Sequence, residues 1–105
     1  MNIRWLDSAE EELTDFVRFE RQFFGFDVAA QITDEILSRV DDLIEFPTIG
    51  TLEPSLKYQN LEIRTLHERH ARIFYTIVSE EIIIVLFWDN RRDDKKIEPY
   101  IITAQ

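Results

Sequence analysis

Seven apolar residues, Ile82 to Trp88, run without a break in the last third of the sequence. Six of the seven are β-branched or aromatic. The run is far shorter than the ~20 residues that cross a bilayer as a helix. A short unbroken run of this kind fits a central strand buried on both faces. It stops at Asp89-Asn90, a turn signal, and Arg91, Arg92, Asp93 and Asp94 follow. The most buried strand therefore delivers two guanidinium groups to its own exit. Rigid elements that end in polar side chains are a common way to mount a site. Charges at such a place also serve only to keep an aggregation-prone strand soluble, and both uses are open at this level.

A strand buried on both faces needs covers, and the first half of the chain offers them. Ile3-Arg4-Trp5-Leu6 is a candidate opening strand. Ser8 and Glu11 have the spacing of a capping box, which predicts a helix from Ala9. Ala9, Leu13, Phe16, Val17 and Phe24 make its apolar stripe, and Gly25 is its expected stop. Asp27 is placed to cap a second helix, with Ile32, Ile36, Val40, Leu43 and Ile44 along one face. Pro47 should end it. The link Gly25-Phe26-Asp27 is short, so the two helices should form an antiparallel hairpin.

Residues 47–60 hold two of the three prolines and read as an irregular packed connection. Leu61 to Leu66 alternates as a strand does. His67 to His70 is a polar break, and Ala71 to Val78 alternates again. Ser79-Glu80-Glu81 makes a hairpin into the apolar run. Tyr100 to Thr103 is either a last short strand or a docked tail. The expected class is α+β over a single domain, residues 1–105. It comprises an N-terminal strand, an antiparallel helical hairpin, and a mainly antiparallel sheet of three or more strands with helices packed on one face. The other face should carry Arg64 and Arg72 and stay partly open.

Composition narrows the chemistry. The chain has no cysteine, which removes disulfides, thiolate chemistry and Cys-based zinc sites. No leader-like segment precedes the first element, so the cytoplasm is the expected compartment. Net charge is −9, but it is uneven. Residues 1–56 carry 13 acidic and 4 basic side chains; residues 57–105 carry 8 of each. A basic patch can persist in the second half, because charges beyond about 8–10 Å are screened at physiological salt. The candidate patch is Arg64, Arg72, Arg91 and Arg92, which would attract phosphate if gathered without matching acids. Pairing with Glu62, Asp89 and Asp93 is the competing use.

His67 and His70 lack a third ligand at any clear spacing, so neither a metal nor a cofactor is expected, and they read as solvated turn histidines. Tyr75 and Tyr100 would transfer protons only beside a cation. Tyr75 shares a face with Ile73 and Ile77, which favours packing.

In order, the opening strand with Ser8-Ala9-Glu10-Glu11-Glu12-Leu13, the turn Phe46-Pro47-Thr48-Ile49-Gly50, the strand Leu61-Glu62-Ile63-Arg64, Arg72-Ile73-Phe74-Tyr75, and Asp89-Asn90-Arg91-Arg92-Asp93 resemble the RelE/ParE superfamily of bacterial type II toxin-antitoxin toxins. The resemblance covers nearly the whole chain. One departure is Asp94, where the family commonly has proline. The resemblance implies a small sheet backed by two helices and a cognate antitoxin partner. It implies one of two activities. RelE-like members cut messenger RNA on the ribosome; ParE-like members poison DNA gyrase without catalysis. Arg64, Arg72 and Arg92 match the basic sites of the cleaving branch, and Tyr100 stands for its C-terminal tyrosine. Arg64, Arg72, Arg91 and Arg92 are the expected contacts to target or antitoxin. Cleaving members tend to be strongly basic and this chain is acidic, so the expectation leans to the ParE-like toxin. An mRNA endoribonuclease is the alternative, and a degenerate member that only binds antitoxin is the third reading.

Overall fold

The computed structural model describes the backbone of residues 1–104 and the side chains of residues 1–102. Strand β1 (Asn2–Trp5) leads into helices α1 (Asp7–Phe24) and α2 (Phe26–Asp41). Strands β2 (Thr51–Tyr58), β3 (Leu61–Glu68), β4 (Ala71–Val78) and β5 (Glu81–Asp89) follow, then helix α3 (Ile97–Ala104). The sheet order is β1-β5-β4-β3-β2, with β1 parallel to β5 and every other pair antiparallel. This is the α+β arrangement expected. The middle strand of the five is β4, and the apolar run β5 lies beside it, flanked on both sides.

An irregularity explains why the run is unbroken. Phe74 pairs with Leu86 but Tyr75 pairs with Ile84, which leaves Val85 as an extra residue, a β-bulge. The bulge shifts the alternation of β5 by one. Ile82, Ile84 and Phe87 join Phe16, Ile32, Ile36 and Val40 under the helical hairpin. Ile83, Val85, Leu86 and Trp88 join the core on the opposite face. Both faces of the strand are dry, so every position from Ile82 to Trp88 is buried.

Gly25 has φ 89° and is the whole link between α1 and α2. Its N–H closes on the Arg21 carbonyl, and its own carbonyl accepts from Ala29 N–H. A β-carbon there would sit in a conformation that L residues rarely adopt.

Several expected details differ. Ser8 and Asp27 make no capping bond; α1 starts at Asp7 behind Leu6, and α2 at Phe26 behind Gly25. Leu6 is extended because its N–H still bonds the Ile84 carbonyl beside β1, so the helix must begin at the next residue. Residues 51–58 are a strand, not an irregular connection. Pro54 is tolerated because β2 is an edge strand whose pairing slips between Glu53 and Lys57. His67 and Glu68 extend β3, so the turn is only Arg69-His70. Residues 97–104 are a helix rather than a strand or tail, with Ile97 and Ile101 one turn apart and buried against Tyr58, Phe74 and Trp88. The second sheet face is therefore covered, not open.

Candidate functional site

The exit of β5 sits where both cores end. Asp89 is the last strand residue, and the turn after it is closed by the Arg92 N–H on the Asp89 carbonyl, 3.0 Å. The Asn90 N–H donates to the His70 carbonyl at 2.7 Å, tying this turn to the β3–β4 turn. Arg91 and Arg92 then leave in different directions.

Arg91 turns back toward the helices. Its Nε and Nη2 donate to the two oxygens of Asp89 at 2.9 and 2.8 Å, and its backbone N–H adds a third bond at 2.9 Å. Nη2 also reaches Glu20 Oε1 at 2.9 Å. Glu20 lies in the apolar stripe of α1, and its side chain is only 5% exposed. The guanidinium plane stacks over Phe19, 4.4 Å from the ring centre, and near Phe16. The hydrogen bonds it donates to Asp89 hold the Arg91 cation above the usual arginine range despite partial burial. Burial works against the Asp89 charge, yet the Arg91 bonds outweigh it and hold the carboxyl below its usual range.

Arg92 turns instead to the corner between α1 and α3. It donates to Glu12 of α1 through Nη1 and to the Tyr100 hydroxyl through Nη2 at 2.7 Å. Its guanidinium lies over the Trp88 ring at 4.4 Å, and Tyr100 meets the same ring edge-on at 5.4 Å. Burial opposes its charge, but Tyr100 and Glu12 together raise the group above the ordinary arginine value. Trp88 is fully buried and its indole N–H has no partner among the described residues. Its ring, rather than its donor, organises the corner.

The arginine group foreseen in the sequence is only partly assembled. Arg72 pairs across strands with Trp88 and so shares its face with the Arg92 corner. It donates to Asn90 Oδ1 at 2.7 Å and to Asp94 Oδ1 at 2.6 Å. Arg64 is on the other face. It pairs with Tyr75, whose ring belongs to the core under the helices. The expectation that Arg64 and Arg72 share a face fails on parity: a two-residue β3–β4 turn pairs even-numbered residues with odd ones. Arg64 instead donates to the carbonyls of Thr48 and Gly50 and holds the turn before β2. Tyr75 closes the same turn, accepting from Gly50 N–H at 2.9 Å and donating to the Pro47 carbonyl at 2.7 Å. Burial raises its pKa, so it stays a neutral hydroxyl. His67 and His70 are both exposed. Among the described residues no cluster of three or more His, Asp or Glu is arranged to hold a metal ion.

The acidic partners Glu12 and Glu20 were not foreseen. Glu20 carried a signal: it lies four residues from both Phe16 and Phe24, inside a stripe that is otherwise apolar. A charge in that position needs a partner. Glu12 carried none, since it is one of three consecutive glutamates in the first turns of α1.

An apolar groove of about 410 Å³ opens beside Arg91, between the helices and the β3–β4 turn. Phe16, Phe24, Val28 and Ile32 line it, and Arg69 and His70 stand on the sheet side.

The sequence profile described as ParE toxin of type II toxin-antitoxin system, parDE, matches residues 3–94. A solved structure described as a chromosomal ParDE TA system from P. aeruginosa superposes with a TM-score of 0.68, covering 83% of this chain and 92% of the other at 20% sequence identity. At that identity the likeness speaks for the fold. No curated protein matches the sequence.

Proposed function

The chain belongs to the ParE toxin family of type II toxin-antitoxin systems, and from that premise we propose that it poisons DNA gyrase by binding it, without catalysis. The observation that carries the reading is the separation of the arginines. A phosphate-cleaving site needs donors converging on one point. Here Arg64 is on the far face of the sheet from Arg72. Arg72, Arg91 and Arg92 each already hold an internal carboxylate. Arg72, Arg91 and Arg92 at the β5 exit are the contacts to the target, and Arg64 is a clamp on the 47–50 turn. The antitoxin covers the apolar groove between the helices and the sheet, with its acidic side chains meeting Arg91 at the rim. The toxin acts in the cytoplasm, where its target lies.

One observation favours the endoribonuclease reading. Arg92 donates to the Tyr100 hydroxyl, and a cation on a phenol is what proton transfer by a tyrosine requires. Purified chain added to gyrase supercoiling and to cell-free translation separates the two. Loss of supercoiling with translation intact is expected; messenger cleavage with gyrase untouched overturns the proposal. Arg92→Ala should abolish most of the gyrase effect while lowering stability by only about 1 kcal/mol, because its pair with Glu12 is partly solvated. Full inhibition by a folded Arg92→Ala chain removes Arg92 from the contact.

A further inference from the structure

The tip of the helical hairpin carries five large apolar side chains that remain exposed. Phe19 is 40% exposed, Phe23 61%, Phe24 57%, Phe26 65% and Val28 43%. Phe19 and Phe23 stack with centres 4.5 Å apart, and Arg91 joins Phe19 to the groove that Phe24 and Val28 line. Phe26 starts the next helix under the Arg21 guanidinium. With Phe side chains of roughly 200 Å² each, half exposed, the surface is on the order of 450 Å² per chain. That is within the range of the largest patch on an ordinary monomer, a patch that is often functional.

We propose that this tip is a self-association surface, and that its occupant is the tip of a second copy of the chain in a two-fold contact. The charge layout is the reason. The helix acids crowd the opposite end of the hairpin: Asp7, Glu10 and Glu11 begin α1, and Asp41 and Asp42 end α2. An 18-residue helix is about 27 Å long, more than two screening lengths. Tip-to-tip contact therefore keeps the excess negative charge of both copies apart, which contact through any other helix surface does not. The tip itself carries Arg18 and Arg21 against two acids, Asp27 in the first turn of α2 and Glu20, the latter matched by Arg91.

The surface is also self-complementary. Exposed rings and exposed guanidinium groups alternate on it, and two such pairs already form within the chain, Arg21 on Phe26 and Arg91 on Phe19. A two-fold contact repeats this pairing between copies. The area buried by two tips is at most about 900 Å², just short of the roughly 1,000 Å² that marks a specific interface. The dimer is accordingly a weak one, with Kd in the micromolar range. Because Phe24 and Val28 also line the groove, dimerisation covers its mouth. The proposal stands apart from the gyrase reading, and neither fails with the other.

The test is sedimentation velocity of the purified full chain from about 1 to about 100 μM, at low and moderate salt. A monomer–dimer equilibrium is expected, tightening as salt screens the net charge. Phe23→Ser/Phe26→Ser should weaken it about tenfold or more with the melting temperature unchanged, since both rings are exposed. Arg18→Glu/Arg21→Glu, which adds acid to the tip and leaves every ring in place, should weaken it as well. A chain monomeric throughout, a dimer indifferent to both double variants, or one that dissociates as salt rises overturns the proposal.

Discussion

At the exit of β5 the fold matches the three arginines Arg72, Arg91 and Arg92 internally; at the tip of the hairpin it leaves large rings facing water. Arg91 has Asp89 and Glu20, Arg92 has Glu12 and Tyr100, and Arg72 has Asn90 and Asp94. Phe23 stacks on Phe19 and Phe26 lies under Arg21, yet the two remain 61% and 65% exposed. The two regions lie on one helix. Phe16 and Glu20 of α1 serve the exit, and Phe19 and Phe23 lead to the tip. The difference separates two ways of presenting a surface. A matched polar network fixes side chains in place and stabilises the fold. An unmatched apolar surface stabilises nothing until a partner covers it.

The comparison predicts a ranking of substitution effects, largest where both regions depend on the same strand. Leu86→Ala should destabilise by roughly 2–5 kcal/mol, because Leu86 is 2% exposed and packs in the core beneath α3. Chemical denaturation measures this. A loss below about 1 kcal/mol would mean that β5 is not the support from which the exit is built.

Arg91→Ala comes next, at about 2–3 kcal/mol. The substitution strands Glu20, a carboxylate with 5% side-chain exposure, without its partner. Breaking a buried pair typically costs 3–5 kcal/mol, and the 40% exposure of Arg91 reduces that figure. Glu20→Gln in the same background should recover part of the loss, since an uncharged amide tolerates burial better. If the double variant is no more stable than Arg91→Ala, the Glu20 charge is not what Arg91 is there to balance.

How far the sequence disclosed these regions depends on the range of the interactions. Period and apolar run length are local, so β4, β5, α1 and α2 were legible. The stop at Gly25 was legible too, because a glycine after a helical stripe has a local meaning. β2 was hidden because Pro54 and an edge bulge erase its alternation. α3 was hidden because eight residues show barely two turns of helical spacing. The exit was half legible. That Arg91 and Arg92 follow a buried strand is a sequence fact. That they diverge, and that Arg64 is on the far face from Arg72, follows from the β3–β4 register and the Val85 bulge, which the spacing of residues does not fix. Their acidic partners lie 71 and 80 positions away on α1, beyond any local pattern.

Acid should probe the exit before the tip. The Asp89 carboxyl is held below its usual range in the folded chain by the Arg91 bonds, against the effect of burial. A folded value below the unfolded one means that the carboxylate contributes stability above the unfolded value of about 3.9. That contribution is lost as pH falls through the lower, folded value. Asp89→Asn should therefore be less stable than the unmodified chain at neutral pH, and the gap should close below about pH 4. Melting temperatures of both chains across that range test it. A gap that stays constant in acid would assign Asp89 a packing role instead.

The smallest expected effect belongs to the tip, and it sharpens the comparison most. Phe23→Ser removes a large ring, a change that costs several kcal/mol in a core. At 61% exposure the ring has little burial to lose, and it stacks on Phe19 at 4.5 Å. Stability at low concentration should change by no more than about 0.5 kcal/mol, the usual range for surface positions. Exposed apolar area also favours aggregation, so the variant should be the more soluble of the two. A loss of 2 kcal/mol or more, read in dilute protein by denaturation, would show that Phe23 is part of the folded core of the hairpin. The tip would then be a structural cap like the exit, and the contrast between the two regions would disappear.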